Sequence, residues 1–388
     1  MDSFQAEPIL AAMEAIVVVG GVSLPEDVIF AVLSCLPVKP LCRFRCVSKG
    51  WRALISDPAF VATQKSRAAP LIAGVFRSGL CPDQQKFELR VMDMDGNVLR
   101  VFKDVARILL PTRLDFICVY KMHGGGATII DPAAGLVSTV DEGEHNPMVS
   151  SCHYGFGRAA PSGAYKLVRF PETLHDPRYF CEIATINNNG RELTWRQGPV
   201  PPFITDSYRG HKATINGVLY FMPETTGIIT LKRWIDGGNR IATFNLENEE
   251  WTETISGPDM GQWEEGESWI IALTELKATL SMVQTVRIAY QDSYCTNIWV
   301  LIDSKESIWV KQYAIQMPRR LFFAKVLDVW GDGRILLLND SEKRERNRFS
   351  YRYILQLYNP STKDFTEVME IAEGFDGAMA FYTGSFLF

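Results

Sequence analysis

The sequence predicts an α+β multidomain protein: a small helical module near the N-terminus, then a large all-β region of propeller-like build. Three observations carry that reading. Over residues 23–60 apolar side chains recur at three- and four-residue intervals, the period of a helix. From about residue 70 short apolar stretches alternate with Gly, Pro, Asn and Asp punctuation. The strand-rich part runs for more than 300 residues, too long for one sandwich and suited to sheets repeated around an axis.

Composition narrows the classes. The 388 residues are 47% hydrophobic and 22% charged, ordinary values that exclude wholesale disorder. A formal net charge of −5 gives no overall bias toward nucleic acid or an anionic membrane. The longest apolar run, Ala15 to Val19 extended through Gly20, Gly21 and Val22, is far shorter than the ~18 residues of a bilayer span. Glu7 and Glu14 lie where a secretory signal would be basic, so the reading places the chain in the cytosol or nucleus. Eight cysteines are scattered without a CxxC pair. Cys42 and Cys46 share a helix face with no histidine nearby, and Cys152-His153 is an isolated dipeptide. Free thiols and no metal are expected.

Residues 1–22 read as a flexible tail, and the helical module spans 23–64. Ser23 and Glu26 have capping-box spacing, and Pro25 suits a first helical turn. Val28, Ile29, Val32, Leu33 and Leu36 follow at helical spacing. Pro37 and Pro40 break that helix and start a second one. Leu41, Phe44, Val47, Trp51 and Leu54 continue its stripe until Asp57-Pro58 stops it. Arg43, Arg45, Lys49 and Arg52 occupy its other faces.

A module of about 40 residues cannot bury so many large apolar groups alone. Some of Leu24, Ile29, Leu33, Leu36, Leu41 and Phe44 are expected to stay exposed until a partner covers them, as an apolar surface with a basic rim suited to an acidic partner. Packing of the module onto the larger domain is the alternative, and periodicity alone leaves both open.

The segments Leu24-Pro25-Glu26-Asp27-Val28, Leu33-Ser34-Cys35-Leu36-Pro37-Val38-Lys39, Arg43-Phe44-Arg45-Cys46-Val47-Ser48-Lys49-Gly50-Trp51 and Leu54-Ile55-Ser56-Asp57-Pro58-Ala59-Phe60 resemble the F-box of plant F-box proteins, in its order and spacing. Pro40, where the family usually has a small polar residue, and Gly50, often serine there, are departures. The resemblance implies docking on a Skp-type adaptor and, through it, a cullin. It assigns the adaptor contact to Leu24, Pro25, Ile29, Leu33, Leu36, Pro37, Leu41 and Phe44. Val28, Val32, Val47 and Trp51 are expected to form the module's own core.

In the β region, strands are expected at Leu71 to Phe76, Phe87 to Met92, Phe116 to Tyr120, Thr128 to Ile130, Tyr165 to Phe170 and Tyr179 to Ile186. Others follow at Val218 to Met222, Arg240 to Asn245, Ile298 to Ile302, Ile335 to Leu338 and Tyr353 to Tyr358. Turns are expected at Asp95-Gly96-Asn97, Asn189-Gly190, Asn216-Gly217, Asp236-Gly237-Gly238 and Asp332-Gly333. An imperfect repeat links Ile129-Ile130-Asp131-Pro132-Ala133-Ala134-Gly135 with Leu357-Tyr358-Asn359-Pro360-Ser361-Thr362-Lys363, and more weakly with Ala242 to Glu247. Eight of the nine tryptophans, Trp195 to Trp330, lie in the second half.

Several pieces resemble the F-box-associated domain: Ala164-Tyr165-Lys166-Leu167-Val168, Thr194-Trp195-Arg196, Ile215 to Phe221, Ile241 to Leu246, Asn297 to Leu301, Tyr313-Ala314-Ile315 and Tyr358 to Thr362. The resemblance implies a propeller-like or kelch-related receptor for a protein substrate over residues 70–388. Phe221 stands where relatives usually have tryptophan.

Reaction chemistry is thin. His123, His145, His153, His175 and His211 fall in no HExxH or nucleophile context. Gly124-Gly125-Gly126 lacks the helix and Lys-Ser/Thr pair of a phosphate cradle. Glu264, Glu265 and Glu267 between Trp263 and Trp269 could line a sugar cleft, but acidic surface loops are far commoner. Lys343 to Arg348 reads as a solvated hairpin loop, so nucleic acid is an unlikely partner. The chain is therefore expected to be a non-catalytic substrate receptor of a Skp–cullin–F-box ubiquitin ligase, without cofactor, metal or membrane partner. The alternatives are an adaptor-bound regulator or scaffold that does not promote ubiquitination, and a glycan-binding or glycan-acting protein.

Overall fold

The computed structural model describes residues 25–36, 38–67, 70–78, 86–121, 126–140, 149–173, 180–186, 195–206, 209–224, 239–261, 267–288, 293–318, 321–345 and 348–384. Two compact units divide the chain, the first containing residues 1–70 and the second residues 71–130 and 137–382.

Four helices build the first unit: α1 (Glu26–Ser34), α2 (Val38–Phe44), α3 (Lys49–Ser56) and α4 (Pro58–Arg67). Pro25 stands at the N-cap of α1 without a side-chain cap, and Ser23 of the expected capping box lies outside the described residues. The single second helix expected from periodicity is instead two. Residues 45–47 turn, and the Ser48 hydroxyl accepts from the Trp51 N–H at 3.1 Å, restarting the helix as α3. Asp57-Pro58 both stops and starts. Asp57 ends α3, while its Oδ1 accepts from the Ala59 N–H at 2.8 Å and Pro58 opens α4, a position that needs no N–H.

The second unit is a six-bladed propeller of antiparallel sheets. The segment β1 (Leu71–Ser78), β2 (Lys86–Met92) and β3 (Val98–Lys103) forms the outer part of one blade. Next come β4 (Ile108–Leu109), β5 (Arg113–Leu114), β6 (Ile117–Tyr120), β7 (Ala127–Asp131) and β8 (Leu136–Val140). The sheet β4-β6-β7-β8 is blade 1. Blade 2 contains β9 (Val149–Arg158), β10 (Tyr165–Thr173), β11 (Glu182–Ile186) and β12 (Arg196–Gln197). Blade 3 contains β13 (Lys212–Ile215), β14 (Val218–Phe221), β15 (Arg240–Asn245), β16 (Glu250–Trp251) and β17 (Ile255–Ser256). In blade 4 are β18 (Glu267–Leu276), β19 (Thr279–Ile288), β20 (Ser293–Asp303) and β21 (Ile308–Met317). Blade 5 has β22 (Leu321–Val329), β23 (Ile335–Glu345), β24 (Arg348–Asn359) and β25 (Asp364–Glu370). The last strand, β26 (Phe375–Tyr382), pairs antiparallel with β1 and completes blade 6 in the order β26-β1-β2-β3. On its other edge β26 takes β5 in parallel, Phe381 opposite Arg113.

Buried clusters lie between successive blades. Both faces of a blade are therefore covered, and its middle strands read as continuous apolar runs. In β23, Ile335 and Leu337 enter the cluster shared with blade 4, while Leu336 and Leu338 enter the one shared with blade 6. Every strand expected from the sequence overlaps an observed strand, although Phe116, Phe180, Cys181 and Met222 fall just outside the strands they were assigned to. Asn216-Gly217 is a two-residue hairpin turn with φ of 49° and 80°, the all-positive geometry that Asn-Gly favours. Asn189-Gly190 and Asp236 to Gly238 lie outside the described residues.

The imperfect repeat is the connection from third to fourth strand. Asp131, Asn245 and Asn359 each accept, through a side-chain oxygen, from the N–H two residues on. The four-residue turns close with Gly135 N–H to Asp131 O at 2.9 Å, Glu249 to Asn245 at 2.9 Å and Lys363 to Asn359 at 2.7 Å. A fourth copy keeps the geometry with little of the sequence: Asp303 accepts from the Lys305 N–H at 2.8 Å, before Ser307 at φ 53°. An aromatic follows six residues after three of these positions, as Trp251, Trp309 and Phe365.

Phe381 is buried at the closing blade beneath the Arg113 guanidinium, 4.0 Å from the ring centroid. Phe381→Ala should lower stability by about 3–5 kcal/mol in urea unfolding. A loss under about 1 kcal/mol would mean that the closing strand is dispensable.

Candidate functional site

Helix α1 is apolar on both sides. Its inner side brings Leu33 into the module core with Leu41, Phe44, Ile55, Phe60 and Val61, while Ile29, Phe30 and Leu36 pack at the margin. Phe30 meets Phe60 edge-on at 5.2 Å, and Trp51 meets Phe44 edge-on at 5.4 Å. The opposite side carries Pro25, Val28, Val32 and Cys35, all exposed, at three-, four- and three-residue steps that keep them on one stripe. Ala31 is exposed beside them. With one apolar side in the core, the second is left uncovered within the module.

This arrangement corrects part of the residue assignment. Leu33, Leu41 and Phe44, expected at the adaptor contact, are 0%, 0% and 2% exposed and hold the helices together. Val28, Val32 and Val47, expected in the core, are 39%, 47% and 43% exposed. The cause is the unbroken run Val28 to Leu33, which offers two apolar stripes, and spacing alone does not rank them. Helix packing buries the stripe with the larger side chains. Trp51, Ile29 and Leu36 are half-buried and Pro25 is exposed, whereas Leu24 and Pro37 lie outside the described residues.

The α2–α3 turn forms an open groove of about 630 Å³ lined by Cys42, Arg45, Cys46, Val47, Ser48, Lys49 and Arg52. Arg43, Lys49 and Arg52 are exposed, and none has a carboxylate partner among the described residues. Burial pushes the Cys42 thiol up from its ordinary value, against the pull of Arg45.

Polar side chains of the inner strands tie neighbouring blades together. Thr214 donates to Phe156 O at 2.9 Å and Thr274 to Val326 O at 3.4 Å. Lys325 donates to Gly377 O, and Arg113 donates to Leu327 O while pairing with Asp328 at 3.2 Å. Burial holds Glu275 above its ordinary value, with Arg113 pulling it down and Asp328 pushing it up. His153, half of the isolated Cys-His dipeptide, lies in the core of blade 2. It is buried, stacked on Phe170 at 4.8 Å, with Nε2 2.8 Å from the Thr205 hydroxyl. Phe221 packs edge-on against Phe170 at 5.0 Å, in the core between blades 2 and 3.

Other sequence candidates stay apart. Glu264, Glu265 and Trp263 lie outside the described residues, and Glu267 opens β18. Of the basic run, Lys343, Arg344 and Arg348 lie on the β23–β24 hairpin, which pairs as far as Glu345 opposite Arg348, and Arg346 lies outside the described residues. The seven described cysteines are free thiols. No helix among the described residues is long and apolar enough to cross a membrane.

The chain thus places a helical module ahead of a six-bladed propeller. Comparison with known proteins gives the family: residues 22–62 match the F-box domain, and residues 100–380 match the F-box associated beta propeller domain. The chain belongs to the F-box proteins that carry this propeller. It is 23% identical to the Arabidopsis thaliana F-box protein At3g57590, over 76% of this chain and 72% of that protein. It is likewise 23% identical to the F-box/kelch-repeat protein At3g23880 of the same plant, over 88% of this chain and 89% of that one.

The two faces of α1 are separable by mutation. Leu33→Ala should destabilise the module by about 2–5 kcal/mol, whereas Val32→Ala should stay within about 0.5 kcal/mol. Equal losses in thermal unfolding would overturn the assignment of faces.

His153 makes a second prediction. Burial first and then the Lys212 ammonium hold its imidazole well below the ordinary 6.5, and Asp206 opposes them. The unfolded chain thus binds a proton near pH 6.5 that the folded chain refuses, and stability falls as pH drops. Relative to wild type, His153→Gln should flatten the stability profile between pH 7 and 5 by up to about 1.4 kcal/mol per unit. Parallel profiles would show that His153 titrates normally.

Proposed function

We propose that this chain is the substrate-receptor subunit of a Skp–cullin–F-box ubiquitin ligase. The observation that carries the reading is the exposed apolar stripe Pro25, Val28, Val32 and Cys35 on an F-box helix whose opposite side is already buried. In this reading a Skp-type adaptor covers the stripe. Ile29 and Leu36 lie at its margin, Val47 extends it, and Leu24 and Pro37 continue it by the family resemblance. Arg43, Lys49 and Arg52 form a cationic rim suited to an acidic partner. The propeller captures a target protein. The adaptor leads to a cullin, and the tethered target is presented to the conjugating enzyme at high effective concentration. Function of this kind needs no reaction centre in the chain itself, and it belongs in the cytosol or nucleus.

The test is capture of a plant Skp-type adaptor and cullin by the full chain, beside a Val28→Asp/Val32→Asp variant. Wild type should retain the adaptor, and the variant should lose at least about tenfold in affinity while keeping its helical circular dichroism. Absence of capture by folded wild type would reject the reading. Capture without ubiquitination of any propeller-bound protein would favour the regulator or scaffold.

A further inference from the structure

The groove between α2 and α3 holds two thiols, and the charged side chains that line it are all basic. Residues 38–56 contain Lys39, Arg43, Arg45, Lys49 and Arg52 and no Asp or Glu, in a chain whose net charge is −5. Cys46 is exposed and Cys42 half-buried, and both line the groove with Arg45, Lys49 and Arg52. An exposed thiol is one that a dissolved disulfide can reach. The cations of the groove concentrate anions. At about 630 Å³ the groove is within the ~300–1,000 Å³ range of small-molecule sites. Cys35 supplies the contrast: it is also exposed, but it does not line this groove.

We infer that Cys46 is a thiolation site, and that the basic groove selects a low-molecular-weight disulfide bearing carboxylates, of the kind glutathione disulfide represents. The exchange is balanced. Cys46 loses its proton to water, and its thiolate attacks one sulfur of the disulfide. The new bond joins Cys46 to half of the reagent, the original S–S bond breaks, and the other half leaves as a thiolate that takes up a proton. No other oxidant is required. The adduct covers Val47, its neighbour in the groove, and so masks part of the docking face. That consequence rests on the adaptor reading; the exchange chemistry does not.

The experiment uses the reduced full chain, exposed separately to glutathione disulfide and to the cationic disulfide cystamine. Peptide mass spectrometry follows Cys46 and Cys35 in the same molecules. With glutathione disulfide Cys46 should react at least about tenfold faster than Cys35, as expected for a cleft that focuses anions. With cystamine the advantage should shrink or invert. A Lys49→Glu/Arg52→Glu variant, altered only at exposed positions, should lose the preference. Reaction of Cys46 at the Cys35 rate with both reagents would overturn the site. Adaptor capture should fall on thiolation of wild type and persist in similarly treated Cys46→Ser, and undiminished capture by the thiolated chain would overturn the masking. Failure of the untreated chain to capture adaptor would instead reject the docking reading, leaving the rate comparison to decide the groove.

Discussion

The pairing of β26 with β1 is the constraint on which the propeller depends. Leu71 lies opposite Tyr382 and Gly74 opposite Met379, so the end of the β region is stitched to its beginning. Closing so long a loop adds only logarithmically to its entropic cost, yet it leaves no blade with an open face. Each blade is covered on both sides only because the ring is complete. The small gaps between blades follow from the same need. At β9, a Cβ on Gly157 would come within 2.5 Å of Leu246 Cδ1, so blade 3 approaches this backbone as closely as glycine permits.

Polar groups obey the closed ring as well. An innermost strand has an edge facing the axis, where carbonyls lack a neighbouring strand. Thr214, Thr274, Lys325 and Arg113 each reach into an adjoining blade and donate to such a carbonyl. Outer strands use indole N–H groups in the same way. Trp251 donates to Pro199 O at 3.0 Å and Trp309 to Ser256 O at 2.7 Å, each reaching outside its own strand. The concentration of tryptophan in the second half of the chain therefore has a structural use at these two positions. It is no evidence for a sugar cleft there.

How much of this could be read beforehand depended on the period of the signal. Strands were legible because both of their faces are buried, giving runs such as Ile335 to Leu338 between turn residues. The repeat was plainest where proline follows the Asx residue, at Asp131 and Asn359, fainter at Asn245 and hidden at Asp303, although the same side-chain geometry operates at all four. Blade number was not legible, since residues far apart in sequence, Leu71 and Tyr382, have to be joined before the sheets can be counted. In the helical module the first helix was legible, the second proved to be two with another after Asp57-Pro58, and the faces were exchanged. A pattern of apolar and polar residues locates a buried side only when the other side is polar, and Val28 to Leu33 contains no polar residue at all.

That exchange bears on how a docking module is built. If the largest side chains formed the docking surface, the free module would lose its core and be stable only in complex. Here Leu33, Leu41 and Phe44 are spent on the inside, and smaller groups, Pro25, Val28, Val32 and Val47, face outward. Burying β-branched or cyclic side chains sacrifices less rotamer freedom than burying long flexible ones. A preformed surface of this kind also avoids the cost of ordering a segment during association. In the proposed docking, the modest area of each outward group leaves affinity to the continuity of the stripe and to the cations of Arg43, Lys49 and Arg52. A change beside those cations, such as a covalent adduct at Cys46, would then act on docking without unfolding the module that presents it.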